Sequence, residues 1–133
     1  MHSIVKKMQL KDETIPVLIL GAPEEYKEVL EAFDNPVHTE PKEESYGFIQ
    51  VFGDMMEDLN QRARLAVPLL EDDGLLWLSY PKKTSKLYVG SDCSRDTIAP
   101  MLEDVNFRPV RQVALDKDWS ALRFRDKSKV KKK

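Results

Sequence analysis

Residues 16–21 read PVLILG and residues 24–33 read EEYKEVLEAF. The first is a short apolar run closed by Gly21, the signature of a buried strand. The second carries Tyr26, Val29, Leu30 and Phe33 at i, i+3, i+4 and i+7, which predicts a helix with one face on a core. The rest of the chain continues this alternation. Residues 46–52 (YGFIQVF) and 75–80 (LLWLSY) are apolar almost throughout, as parallel strands covered on both faces are. Between them, Asp54 and Glu57 have capping-box spacing for a second helix, with Met55, Leu59, Ala63, Ala66, Val67 and Leu70 on its apolar face. Pro68 ends or kinks that helix, and residues 71–74 (EDDG) read as a turn.

The flanks are less regular. Residues 1–15 form an N-terminal arm with a helical turn or two lying on the body, through Ile4, Val5, Met8 and Leu10. Residues 37–39 read as a short strand, followed by a charged loop over 40–45. Residues 94–105 predict a third helix burying Ile98, Met101, Leu102 and Val105. Residues 109–115 (PVRQVAL) and 119–125 (WSALRFR) are strands separated only by Asp116, Lys117 and Asp118. So short a link makes an antiparallel hairpin and forbids a parallel crossover. The predicted fold is an open α/β sheet, mostly parallel, with a C-terminal antiparallel hairpin at an edge.

With 133 residues the chain is one domain by size. We assign 1–126 to a single α/β domain and 127–133 to a disordered lysine-rich tail. That tail holds five lysines; without them a net charge of −2 becomes −7 for residues 1–126. A nucleic-acid-binding body would be basic, so nucleic acid is an unlikely partner, although an accessory role through the tail stays open. No apolar stretch approaches the ~18 residues of a membrane span, and a secretory leader is not expected. A single cysteine, Cys93, excludes an internal disulfide, and a cytoplasmic location is expected.

The segments GLLWLSYPKK (residues 74–83) and VRQVALDKDWSALRFR (residues 110–125) resemble a family of short bacterial proteins. That resemblance covers most of residues 3–125 and implies a truncated class I methyltransferase-like, Rossmann-like sheet. It identifies kin and supplies no chemistry. Methyltransferases place a glycine-rich turn after the first strand, where the methyl donor's methionine end meets bare backbone, and an acid after the second, on the ribose. Here the turn is Gly21, Ala22, Pro23 and Glu24, with one glycine; Glu40 stands where the ribose acid would.

Ligands of open α/β sheets bind outside the C-terminal strand ends. Two candidate sites follow. Gly21, Glu24 and Glu40 would hold S-adenosylmethionine or a nucleotide if the chain were a reduced enzyme. Lys82, Lys83 and Lys86, with Thr84, Ser85 and the stretch 91–96, form a basic loop fit for a phosphate or carboxylate. Trp119 lies beside it, either as a stacking platform or as a cover for the sheet end. Cys93 as a nucleophile would need a base, and His38 is the histidine of the folded body. No catalytic or metal-binding residues are assigned. The expected function is a non-catalytic binding or interaction module without cofactor, working through a homodimer or a protein partner; the reduced enzyme and the nucleic-acid accessory protein are the alternatives.

Overall fold

The computed structural model describes residues 3–130. Helix α1 (Ser3–Lys7) is followed by β1 (Val17–Leu20), α2 (Lys27–Ala32), β2 (Val37–His38), β3 (Tyr46–Phe52), α3 (Met56–Ala66), β4 (Leu70–Pro81), α4 (Arg95–Ile98), β5 (Phe107–Ala114) and β6 (Trp119–Asp126). The six strands form one sheet in the order β2-β1-β3-β4-β6-β5. The first four are parallel, while β6 runs antiparallel to both β4 and β5. The hairpin is thus at the edge, with β5 outermost.

The apolar runs put side chains on both faces of the sheet. Leu18, Ile49, Val51, Leu76, Leu78, Leu122 and Phe124 pack beneath Leu59, Ala63, Ala66, Ile98 and Leu102. Val17, Ile19, Phe48, Phe52, Trp77 and Trp119 face the other way, against Tyr26, Val29, Phe33 and the arm residues Ile4, Val5, Met8 and Leu10. The arm is therefore helical and belongs to the core; Trp77 Nε1 donates to the Met8 carbonyl at 3.0 Å. One polar residue interrupts the run in β3: Gln50 is fully buried, accepts from Tyr26 and donates to Ser79. Both ends of its amide are satisfied, so the burial is tolerated.

Four local expectations are corrected. The helix read over 24–33 opens as a 3₁₀ turn, Glu24–Tyr26, before α2. Asp54 does not cap the second helix. Met55 holds the N-cap position, and Asp92, from a distant loop, accepts the Met56 N–H at 2.7 Å. The expected turn at 71–74 lies inside β4 as a bulge, with Asp73 in the left-handed region (φ 53°). Asp73 binds Arg125 through two hydrogen bonds of 2.7 and 2.8 Å, a bidentate pair that ties the bulge to the hairpin. The third helix is four residues long, because Pro100 has no N–H to continue it; a 3₁₀ turn at Glu103–Val105 follows. Lys127–Lys129 forms a 3₁₀ turn, with Lys127 paired to Glu103 and Lys129 to Asp72. The tail thus opens with a turn on the body, while residues 131–133 lie outside the described residues.

Candidate functional site

The strand order reverses direction between β1 and β3, so the crevice at their C-terminal ends is the switch point where such sheets take ligands. Gly21 and Gly53 stand there. Gly21 has φ +71°, and a Cβ on it would lie 2.8 Å from the Arg62 guanidinium. Arg62, on α3, donates from Nη1 to the Phe52 carbonyl at 2.8 Å. One side chain therefore spans the crevice, resting on the end of β1 and bonded to the end of β3. A Cβ on Gly53 would meet Leu59 at 2.6 Å. Gly53 packs against α3, while Gly21 stays exposed with the flexible end of Arg62 beside it. Glu24 and Glu40 are exposed. The loop carrying Glu40 is held by the Tyr46 hydroxyl, which accepts from the N–H groups of Lys42 and Glu43. That leaves the hydroxyl proton for His38 Nδ1, 2.7 Å away.

The loop after β4 closes the crest further. Tyr88 donates to Glu25 Oε2, and Trp119 Nε1 donates to the same oxygen at 3.2 Å. Ser91 Oγ donates to the Asp54 carbonyl, and Cys93 Sγ lies 3.8 Å from the Gly53 carbonyl. Burial works against the charge on Glu25, but donation from Tyr88 and Trp119 holds its carboxyl below the ordinary value. Burial pushes the Cys93 thiol up to about 11, and Asp92, Asp54 and Asp58 act in the same direction. Cys93 is a thiol at neutral pH, while His38 is engaged with Tyr46; the pair does not form a nucleophile and base. Trp119 is 2% exposed, with Phe52 and Tyr88 at ring-centroid distances of 5.2 and 4.9 Å. Of the two roles open to it, this burial fits a cover for the sheet end rather than a stacking platform.

The lysine loop does meet the hairpin turn. Lys82 N–H donates to the Asp118 carbonyl and Ser85 Oγ to the Asp118 carboxylate, each at 2.8 Å. Asp116 is a turn residue, accepting from the N–H groups of Asp118 and Trp119. The lysines divide between two grooves. Lys82 and Lys83 line one of 330 Å³, together with Tyr80, Thr84, Ser94, Arg95, Asp96, Gln112 and Ser120. Lys86 lines a second of the same volume with Leu87, Lys117 and Asp118. Gly21, Glu24 and Glu40 line neither groove, so the two candidate sites are separate. Tyr80, Gln112 and Ser120 were not anticipated. Tyr80 and Ser120 are cross-strand partners, and that register was the missing signal. Among the described residues no group of three or more His, Cys, Asp or Glu side chains could hold a metal ion. No helix among them is long and apolar enough to cross a membrane.

The same sheet occurs in known methyltransferases. The N-methyltransferase NodS from Bradyrhizobium japonicum WM9 superposes with a TM-score of 0.59 at 13% identity, over 92% of each chain. A SAM-dependent methyltransferase from Aquifex aeolicus gives 0.60 at 16% identity, over 91% of this chain and 86% of its own. The ribosomal protein L11 methylase from Lactobacillus delbrueckii subsp. bulgaricus gives 0.55 at 13% identity, over 92% and 75%. No family model and no curated protein matches the sequence. The fold is a truncated, Rossmann-like methyltransferase fold.

Proposed function

We propose that the protein is a non-catalytic binding module that uses a methyltransferase-like sheet as scaffold and takes no S-adenosylmethionine. The observation that carries this reading is Arg62, which bridges Gly21 and the Phe52 carbonyl across the switch point. The site moves to the other end of the crest, at Lys82 and Lys83. A cytoplasmic location belongs to the same proposal. So does a protein partner, a second copy of the chain included, at the outer edge of β5, which pairs on one side only. Pro109 and the bulge beside it narrow the stretch of edge free to pair. Nucleic acid is disfavoured because Lys127 and Lys129 are turned back onto the body's own acids.

The reduced enzyme is the second reading, favoured by the fold and by Glu40 beyond β2. Titration calorimetry with S-adenosylmethionine, S-adenosylhomocysteine, ATP and NAD separates the two. The module reading expects no saturable heat from any of them at about millimolar concentration, some 4 kcal/mol of standard binding energy. One-to-one binding of an adenosyl compound that Glu40→Ala weakens would establish the enzyme reading instead.

A further inference from the structure

We infer that the groove between the loop after β4, the start of α4 and the hairpin binds a small phosphate monoester, with Lys82, Lys83 and Arg95 around the phosphate and Asp96 receiving a hydroxyl or amine of the organic part. This rests on the reading of the protein as a binding module and names the ligand of that module.

Three observations support it. The first is charge left unused. Arg64, Arg125, Lys127 and Lys129 are all in ion pairs. Most cations among the described residues are in none, and three of these, Lys82, Lys83 and Arg95, line one groove. With Asp96 counted against them the lining carries +2. A phosphate monoester carries about −1.5 to −2 at pH 7, whereas a carboxylate carries one charge.

The second is hydrogen-bond capacity left open at the floor. Tyr80 and Ser120 are 3% and 6% exposed and pair across β4 and β6. The Tyr80 hydroxyl accepts from Gln112 Nε2 at 3.0 Å, so its own proton has no acceptor among the described residues. The Ser120 hydroxyl has no partner among them at all. Two hydroxyl protons that no group among the described residues accepts, in a groove lined by three cations, suit an occupant rich in acceptors. Burial pushes the Tyr80 pKa up, with Arg95 opposing, so the phenol stays protonated and able to donate at neutral pH.

The third is size. A volume of 330 Å³ is at the low end of ligand pockets, which run from roughly 300 to 1,000 Å³. It admits a phosphate with a small sugar-sized body. Asp96 repels a second phosphate and accepts from a neutral or cationic group, which favours a hydroxylated or amino-bearing monoester.

The test uses the full chain and ribose 5-phosphate as probe, with ribose, gluconate and inorganic phosphate as comparisons, by calorimetry and phosphorus NMR line broadening. We expect saturable one-to-one binding of ribose 5-phosphate and none of ribose. Gluconate and inorganic phosphate bind about tenfold more weakly or worse, as the loss of one charged contact implies. Arg95→Ala weakens binding about tenfold, the exposed double variant Lys83→Ala/Arg95→Ala abolishes it, and Tyr80→Phe, which keeps the ring, weakens it about threefold to tenfold. The inference is overturned if ribose 5-phosphate does not bind at about 10 mM, where roughly 3 kcal/mol of binding would register. It is overturned equally if the double variant binds as the parent does, or if ribose or gluconate binds as well as the phosphate. Failure of ribose 5-phosphate alone ends this assignment and leaves the module reading standing. Binding of S-adenosylhomocysteine ends the module reading whatever the phosphate does.

Discussion

Two regions share the C-terminal edge of one sheet and have opposite chemistry. At the β1/β3 switch point the cation, Arg62, is bonded to the chain's own Phe52 carbonyl beside Gly21, and Gly53 is packed against α3. At the end of β4 three cations stand in no ion pair and the Ser120 hydroxyl has no partner among the described residues. The fold designates the first region as the ligand site, and the side chains leave the second one open. Fold alone therefore does not assign the site; what decides is which polar groups are already satisfied.

Substitutions that break this contrast should change stability at the closed region and ligand binding at the open one. The largest expected effect is Trp119→Ala, which removes a ring buried against Phe52 and Tyr88 and releases one donor on Glu25. It should cost about 3–5 kcal/mol in urea unfolding. Gly21→Ala comes next, since it combines φ +71° with a 2.8 Å contact to Arg62. A loss of roughly 1–3 kcal/mol is expected. Pairing it with Arg62→Ala should relieve the clash and leave the backbone strain, so the double-mutant cycle should show coupling of about 1 kcal/mol. If the two changes were additive, Arg62 would not sit on Gly21.

The pH dependence sharpens the closed region. Cys93 moves from an ordinary 9.0 to about 11 on folding. The folded state therefore holds the proton longer than the unfolded chain does. Its contribution is complete below pH 9 and falls as pH rises from 9 to 11. Alkylation by iodoacetamide should accordingly be slow at pH 8 and accelerate up to about pH 11; fast reaction at pH 8 would mean that the loop over Gly53 is open. Glu25 works in the other direction. Its carboxyl is held low against burial, so its contribution is present at neutral pH and is lost on acidification below its ordinary 4.5. Glu25→Gln should remove that acid-side loss of stability. The smallest stability effect belongs to the open region: Lys83→Ala and Arg95→Ala should each stay within about 0.5 kcal/mol of the parent, because exposed side chains without partners contribute little.

Much of the fold was legible in the sequence, and for definite reasons. The apolar runs at 17–20, 46–52 and 76–80 have too few polar residues for a half-exposed strand, and a link of three residues after 114 admits only a hairpin. The misplaced ends share one cause, long-range partners that local spacing does not reveal. Asp92 caps α3 from 36 residues away, and Arg125 fixes the bulge at Asp73 from 52 away. The candidate site was half legible. Lys82 and Lys83 stood out by composition. Tyr80 and Ser120 did not, because only the strand register brings them together. Gly21 stood out as the single glycine of its turn; that Arg62, on α3, lies beside it could not be seen from local spacing.

The most direct measurement is a ¹H–¹⁵N correlation spectrum of the labelled protein titrated first with S-adenosylhomocysteine and then with ribose 5-phosphate. The account predicts no change with the first. With the second it predicts shifts at the amides of residues 82–84, 94–96, 112 and 120, with Gly21 and Gly53 unmoved. Saturable shifts of Gly21 and Glu40 on adding S-adenosylhomocysteine would contradict it and return the ligand to the switch point.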